Sequence, residues 1–192
     1  MQPSIGEAPQ AFAYKGEKTY LLIGDQNIIR ESVTLHRGTV PGGGKTIIGN
    51  NNYFMAYSHV AHDCQIGNQV VMANGATLGG HILIEDHAII GGLVAVHQFC
   101  RIGAHAFIGG FSGVLQDIPP YMLAQGDRTK LYGLNTVGLK RHHFSEETLK
   151  ALKKSYHTIF RSGLTLEKAI KQLSEDNIFR VPEVQHLLQF IQ

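Results

Sequence analysis

Residues 60–84 read VAHDCQIGNQVVMANGATLGGHILI, with an apolar residue at every sixth place: Val60, Ile66, Met72, Leu78 and Ile84. The same beat continues in both directions, through Ile48 and Phe54 before it and Ile90, Val96, Ile102, Ile108 and Val114 after it. No helix recurs at six, and a plain strand alternates at two. A strict short period marks a solenoid, whose units bury their apolar faces only against their neighbours. Four residues after each anchor the side chain is small or slim: Asn52, Ser58, Cys64, Val70, Ala76, Ile82, Ala88, Val94, Cys100, Ala106 and Ser112. Glycine follows the anchor at Gly49, Gly67, Gly79, Gly91, Gly103 and Gly109, where a sharp corner is expected to need φ freedom. Three hexads close one triangular coil, so the sequence predicts a mainly β chain built as a left-handed parallel β-helix, a hexapeptide-repeat solenoid.

The beat is interrupted in two places. Ile23, Ile29 and Leu35 form an earlier coil, and Ile5-Gly6 precedes Ile23-Gly24 at the coil spacing. Residues near 8–20 and near 41–47, the latter containing Pro41-Gly42-Gly43-Gly44-Lys45, read as extruded loops. The run stops at Pro119-Pro120, since two prolines remove two ladder donors. Residues 1–120 are therefore expected to form the solenoid, and 121–192 a C-terminal α-helical domain. Ser145 is a helix cap with Phe144 as its staple, and that helix runs through Arg161 to end at Gly163. Thr165 opens a second helix and Pro182 a third. Lys140, Arg141, His142, His143, Lys150, Lys153 and Lys154 make the start of this region basic, which suits either a solvated face or a dock for an acidic partner or phosphates.

A net charge of +2 over 192 residues argues against a nucleic-acid partner. No run of 18 apolar residues occurs, so no membrane span is expected, and Met1-Gln2-Pro3-Ser4 carries no secretory pattern. Cys64 and Cys100 fall in one inward column two coils apart, about 9–10 Å at ordinary strand spacing and too far for a disulfide. Buried free thiols suit a cytoplasmic protein.

Residues one coil apart stack, which places His62 beneath Gly80, Asp63 beneath His81, and His87 beneath His105. A histidine beside a glycine supplies a general base and an uncovered backbone N–H, the two devices that acyl transfer needs. Asp63 could orient the His62 imidazole or serve mainly His81, and His62 could equally be a structural surface histidine.

Longer stretches carry a family likeness. His59-Val60-Ala61-His62-Asp63-Cys64, Gly91-Gly92-Leu93-Val94-Ala95-Val96-His97-Gln98-Phe99, Gly138-Leu139-Lys140-Arg141, residues 29–39 and Asp117-Ile118-Pro119-Pro120-Tyr121 together resemble the acyl-carrier-protein–UDP-N-acetylglucosamine O-acyltransferases. The resemblance implies transfer of a (3-hydroxy)acyl chain from acyl carrier protein to the 3-hydroxyl of UDP-N-acetylglucosamine, the first step of lipid A biosynthesis. It implies no cofactor, no metal and a homotrimer with active sites between subunits. By the same likeness His62 is the general base, Asp63 its orienting partner, and Gly80 the oxyanion-hole glycine. His59, His81, His97 and Gln98 line the nucleotide-sugar and acyl groove. Asn135 and Arg141 hold the pantetheine arm or the phosphates. Gly110 ends the acyl groove, with Phe107 a residue that could shorten it.

Three departures stand out. Ala11 and Ala13 occupy positions where the family carries an Asp and a Lys, His142 stands where a second arginine usually follows Arg141, and the family has further coils before Ile5. They favour, as an alternative, a weakened or inactive paralogue that binds acyl chains as a structural trimer. A minor alternative is a carbonic-anhydrase-like metal enzyme, although that family places two histidines five apart and His81 and His87 are six apart.

Overall fold

The computed structural model describes residues 2–192. Short parallel strands stack into three flat sheets that wall a triangular prism, a left-handed parallel β-helix. The first sheet takes Ser4–Glu7, Thr34–His36, His59–Val60, Thr77–Leu78, Ala95–Val96 and Gly113–Val114. The second takes Tyr20–Ile23, Lys45–Ile48, Gln65–Ile66, Leu83–Ile84 and Arg101–Ile102. The third takes Ile28–Ile29, Tyr53–Phe54, Val71–Met72, Ile89–Ile90 and Phe107–Ile108, and continues into the hairpin Met122–Gln125 and Lys130–Leu134. Each anchor from Ile48 to Val114 points inward, and none is more than 4% exposed. Full burial of one such side chain is worth about 1.5–3 kcal/mol, so the column is the main cohesive element of the prism.

The corners are built differently from the sequence expectation. The left-handed residue is not the glycine after the anchor but the third residue after it: Asn51, Tyr57, Asp63, Gln69, Gly75, His81, His87, Leu93, Phe99, His105 and Phe111 all have φ between 56° and 68°. Only one of these is glycine. Their N–H groups bond back to the preceding coil, as in His81 to the His62 carbonyl (3.0 Å) and His105 to Asp86 (3.0 Å), which offsets the steric cost of the left-handed region. The glycines instead serve close approach between coils. A Cβ on Gly91 would lie 2.6 Å from the Gly110 nitrogen, and one on Gly103 2.3 Å from that of Pro120.

Two further expectations are corrected. Ile5 does not stack on Ile23: it pairs with Leu35 on the first sheet, because the loop before Tyr20 uses up the intervening residues and carries the chain on by only one sheet, to the second. The second loop ends earlier than 47, since Lys45–Ile48 is a strand paired in register with Tyr20–Ile23. After Tyr121 the first element is the antiparallel hairpin, joined to the third sheet by Phe107 opposite Leu123, and the helices begin only beyond it. They are α1 (Thr136–Arg141), α2 (Glu146–Phe160), α3 (Leu166–Ser174) and α4 (Pro182–Ile191), with a 3₁₀ turn at Asn177–Arg180. Ser145 caps α2 and Thr165 caps α3 by accepting from Thr148 N and Lys168 N, as their side chains suggest. A second core of Leu139, Leu149, Leu152, Tyr156, Leu173, Val184, Leu187 and Leu188 closes around Tyr121 and Met122. Arg101 ties α4 to the solenoid, with Nε on Asp117 Oδ2 (2.7 Å) and a terminal nitrogen on the Phe190 carbonyl (2.9 Å).

Candidate active site

The corner between the first and second sheets carries His62, Gly80 and Gln98 in one column and Asp63, His81 and Phe99 in the next. The left-handed backbone of Asp63 turns its carboxylate back into the prism wall, where the side chain is fully covered. There Oδ1 accepts from the Thr39 N–H (2.7 Å), and Oδ2 accepts from the Thr39 hydroxyl (2.6 Å) and from His62 Nδ1 (2.7 Å). A carboxylate only accepts, so the His62 proton sits on Nδ1 and the Nε2 lone pair is free. His81 Nε2 lies 3.7 Å from the same oxygen, beyond hydrogen-bond reach. Asp63 therefore orients His62 and not chiefly His81.

Gly80 faces the imidazole. A Cβ there would fall 2.5 Å from His62 Cε1 and 2.8 Å from Nε2, so any side chain would displace the ring. At the corner between the second and third sheets the equivalent N–H groups are capped by the coil above, Asn50 N by Asn68 Oδ1 (2.8 Å) and Asn68 N by Asp86 Oδ1 (2.7 Å). Among the described residues the Gly80 N–H has no such cap. A base and a free donor thus stand side by side, as base-promoted acyl transfer requires.

The remaining expected residues separate into groups. His59 lies on the adjoining strand, with Nδ1 2.6 Å from Thr34 Oγ1 and its ring edge-on to His36. Burial, with smaller contributions from His36 and His62, pushes its pKa down to about 4, so it is a neutral polar wall. His81 stacks on Phe99 at 4.6 Å, and His97 and Gln98 are exposed one coil above Gly80. Gly110 lies at the corner between the third and first sheets, where a Cβ would press to 3.2 Å on the Gly92 carbonyl. Asn135 caps α1, accepting from Gly138 N and donating to the His105 carbonyl (3.0 Å). With Arg141 it borders a cleft of about 400 Å³ walled by Ile89, Phe107 and Leu123 of the third sheet. Phe107 belongs to that cleft and not to the Gly110 corner. One chain thus holds the His62 group, Gly110 and the Asn135–Arg141 cleft on different faces of the prism.

Sequence reading passed over the loop of residues 37–44. Thr39 fixes both oxygens of Asp63, and Gly42 packs so closely that a Cβ would lie 2.1 Å from the Asp63 Cγ. The break in the beat located this loop but said nothing of its target. Of the basic residues expected at the start of the helical region, Lys140, Lys150 and Lys153 line a groove of about 710 Å³ between the hairpin and α2, joined there by His157 and Arg161, whereas Arg141 borders the other cleft. Lys154 is engaged elsewhere, on Asp176.

Comparison with known proteins agrees with this geometry. Residues 117–192 match the family described as UDP N-acetylglucosamine O-acyltransferase, domain 2, and residues 45–80 match the bacterial transferase hexapeptide family. The acyl-[acyl-carrier-protein]–UDP-N-acetylglucosamine O-acyltransferase of Thermodesulfovibrio yellowstonii is 58% identical over 189 residues, which are 98% of this chain and 73% of the relative. The enzyme of that name from Halorhodospira halophila is 50% identical over 188 residues, 98% of this chain and 72% of the relative. The crystal structure of UDP-N-acetylglucosamine O-acyltransferase from Moraxella catarrhalis superposes with a TM-score of 0.93 at 43% identity, covering 99% of this chain and 76% of that one. These matches lend no support to the carbonic-anhydrase-like alternative. On helix, corner and sequence alike, the chain belongs to the acyl-[acyl-carrier-protein]–UDP-N-acetylglucosamine O-acyltransferase family.

Proposed function

We propose that this protein transfers a (3-hydroxy)acyl chain from acyl carrier protein to the 3-hydroxyl of UDP-N-acetylglucosamine, opening lipid A biosynthesis in the cytoplasm. The observation that carries the reading is the His62 imidazole held by Asp63 with its free nitrogen beside Gly80. His62 Nε2 takes the proton as the sugar hydroxyl attacks the thioester carbonyl. The new C–O bond leaves an oxyanion that accepts from the Gly80 N–H, and Asp63 stabilises the imidazolium. When the C–S bond breaks, the imidazolium returns its proton to the departing carrier thiolate, and the histidine is restored.

The transfer is direct, with no acyl-enzyme. Cys64, the nearest thiol, is buried, donates to the Gly79 carbonyl (3.1 Å), and has its pKa pushed up to about 12 by burial. A thiol in that state is no nucleophile. Ser58 is fully buried in the inward column.

The separation of the His62 corner from the Asn135–Arg141 cleft supports a site completed between copies of the chain in a homotrimer. There His59, His81, His97 and Gln98 meet the nucleotide sugar, Gly110 bounds the acyl chain, and Arg141 and Asn135 hold the donor arm or phosphates. The basic groove of Lys140, Lys150 and Lys153 suits the acidic carrier protein. The two free, buried cysteines support a reducing compartment. The test is to supply 3-hydroxyacyl carrier protein and UDP-N-acetylglucosamine to the full chain and measure the 3-O-acylated sugar nucleotide. Its appearance supports the reading. Its absence from a folded, assembled protein moves the binding-only reading forward.

A further inference from the structure

On the next corner round from the His62 site, between the second and third sheets, the left-handed positions of successive coils stack His87 directly on His105, ring centroids 4.4 Å apart and nearly parallel. His142, at the C-terminal end of α1, meets both rings edge-on at 4.9 and 4.8 Å. Each residue offers one ring nitrogen, and the three nitrogens lie within 4.8 Å of one another. Nothing in the acyl-transfer reading uses this cluster.

We propose that His87, His105 and His142 form a zinc site that pins α1 to the solenoid. One observation points to a ligand beyond the clustering itself. His87 Nδ1 and His105 Nδ1 are both buried without a hydrogen-bond partner, a condition that folded proteins rarely leave uncorrected. Three imidazoles suit Zn²⁺, with water as a fourth ligand.

Zn–N bonds of about 2.0–2.1 Å in a tetrahedron place ligand nitrogens roughly 3.3 Å apart. The cluster must therefore contract, and His142 is the residue able to move. It is exposed, and its side chain makes no hydrogen bond among the described residues. The consequence is local to the substrate groups. Asn135 caps α1 and Arg141 is its last residue, and Asn135 already donates to the His105 carbonyl, so a bound ion would stiffen the segment that carries both.

The experiment is competition for Zn²⁺ between the full chain and a chromophoric chelator, with the thermal midpoint followed in parallel. One ion should bind per chain and raise the midpoint. His142→Ala, a surface change that leaves both cores intact, should weaken binding by more than the roughly 10–100-fold that outer-sphere partners are worth and abolish the shift. His87→Gln should do the same. His81→Gln should do neither, which separates this corner from the His62–Asp63–His81 group, whose ligand atoms also lie within 4.8 Å. Binding no tighter than millimolar, or loss of binding in His81→Gln alone, overturns the proposal.

Discussion

Replacing Asp63 by asparagine changes one atom and should remove most of the activity. The Thr39 N–H donates to Oδ1 at 2.7 Å, so the amide oxygen of an asparagine must take that position and its NH₂ must fall at Oδ2. Oδ2 is the atom that His62 Nδ1 and the Thr39 hydroxyl now address, at 2.7 and 2.6 Å. The hydroxyl can turn and accept. The imidazole can satisfy the new donor only by accepting on Nδ1, which transfers its proton to Nε2, the nitrogen that must be free. The base is thereby held in the unreactive tautomer and loses the carboxylate that stabilises its protonated form. General-base catalysis contributes about 10²–10⁴-fold, and kcat should fall by that amount with little change in KM for either substrate. Folding should suffer less, by about 1.5–3 kcal/mol for the charged hydrogen bonds replaced. Steady-state assay with 3-hydroxyacyl carrier protein and UDP-N-acetylglucosamine measures the first effect, and ¹⁵N shifts of the His62 ring report the tautomer. A variant within threefold of the parent in kcat, or one whose ring keeps its proton on Nδ1, refutes the reasoning.

Gly42→Ala should cost about 10²-fold in kcat, because its Cβ would lie 2.1 Å from the Asp63 Cγ and must retreat by more than 1 Å, displacing the loop or the carboxylate; unchanged turnover would show that the loop has no hold on the base. Arg141→Ala should raise the donor KM more than it lowers kcat, and a pure kcat loss would contradict a binding role. Acid should loosen the fold before its carboxylates titrate. His59 and His105 have pKa values near 4 when folded, against an ordinary 6.5, so between these limits the unfolded chain binds more protons and stability falls as pH falls. The thermal midpoint should drop between pH 6.5 and 5, and less steeply in His105→Gln; a flat profile would mean that neither ring is held neutral by the fold.

The prism was legible because its core repeats. One anchor per hexad leaves a mark that no other architecture shares, and the same beat stacks His62 under Gly80 without further information. Corner chemistry was less visible. The left-handed position is filled by Asn, Asp, His, Tyr, Leu and Phe, residues with no common propensity for it, so the glycines drew attention that belonged elsewhere. What fixes those corners is the hydrogen bond to the coil below, in the uninterrupted coils a contact between residues nineteen apart. The hairpin after Tyr121 escaped notice because its pairing with the third sheet is non-local, and α1 because six residues are too few to show a period. Thr39 and Gly42 were hidden for a related reason: a loop declares its existence by breaking the repeat, while its target is set only when it folds back on Asp63.

The central claim is that His62, held by Asp63 and facing Gly80, is the base of an acyl transfer. The most direct test is the single-turnover rate of transfer from 3-hydroxyacyl carrier protein to UDP-N-acetylglucosamine, for the parent and for His62→Ala, with identical circular dichroism and assembly. The account predicts a rate lower by about 10²–10⁴-fold in the variant. A rate within a few-fold of the parent would contradict it.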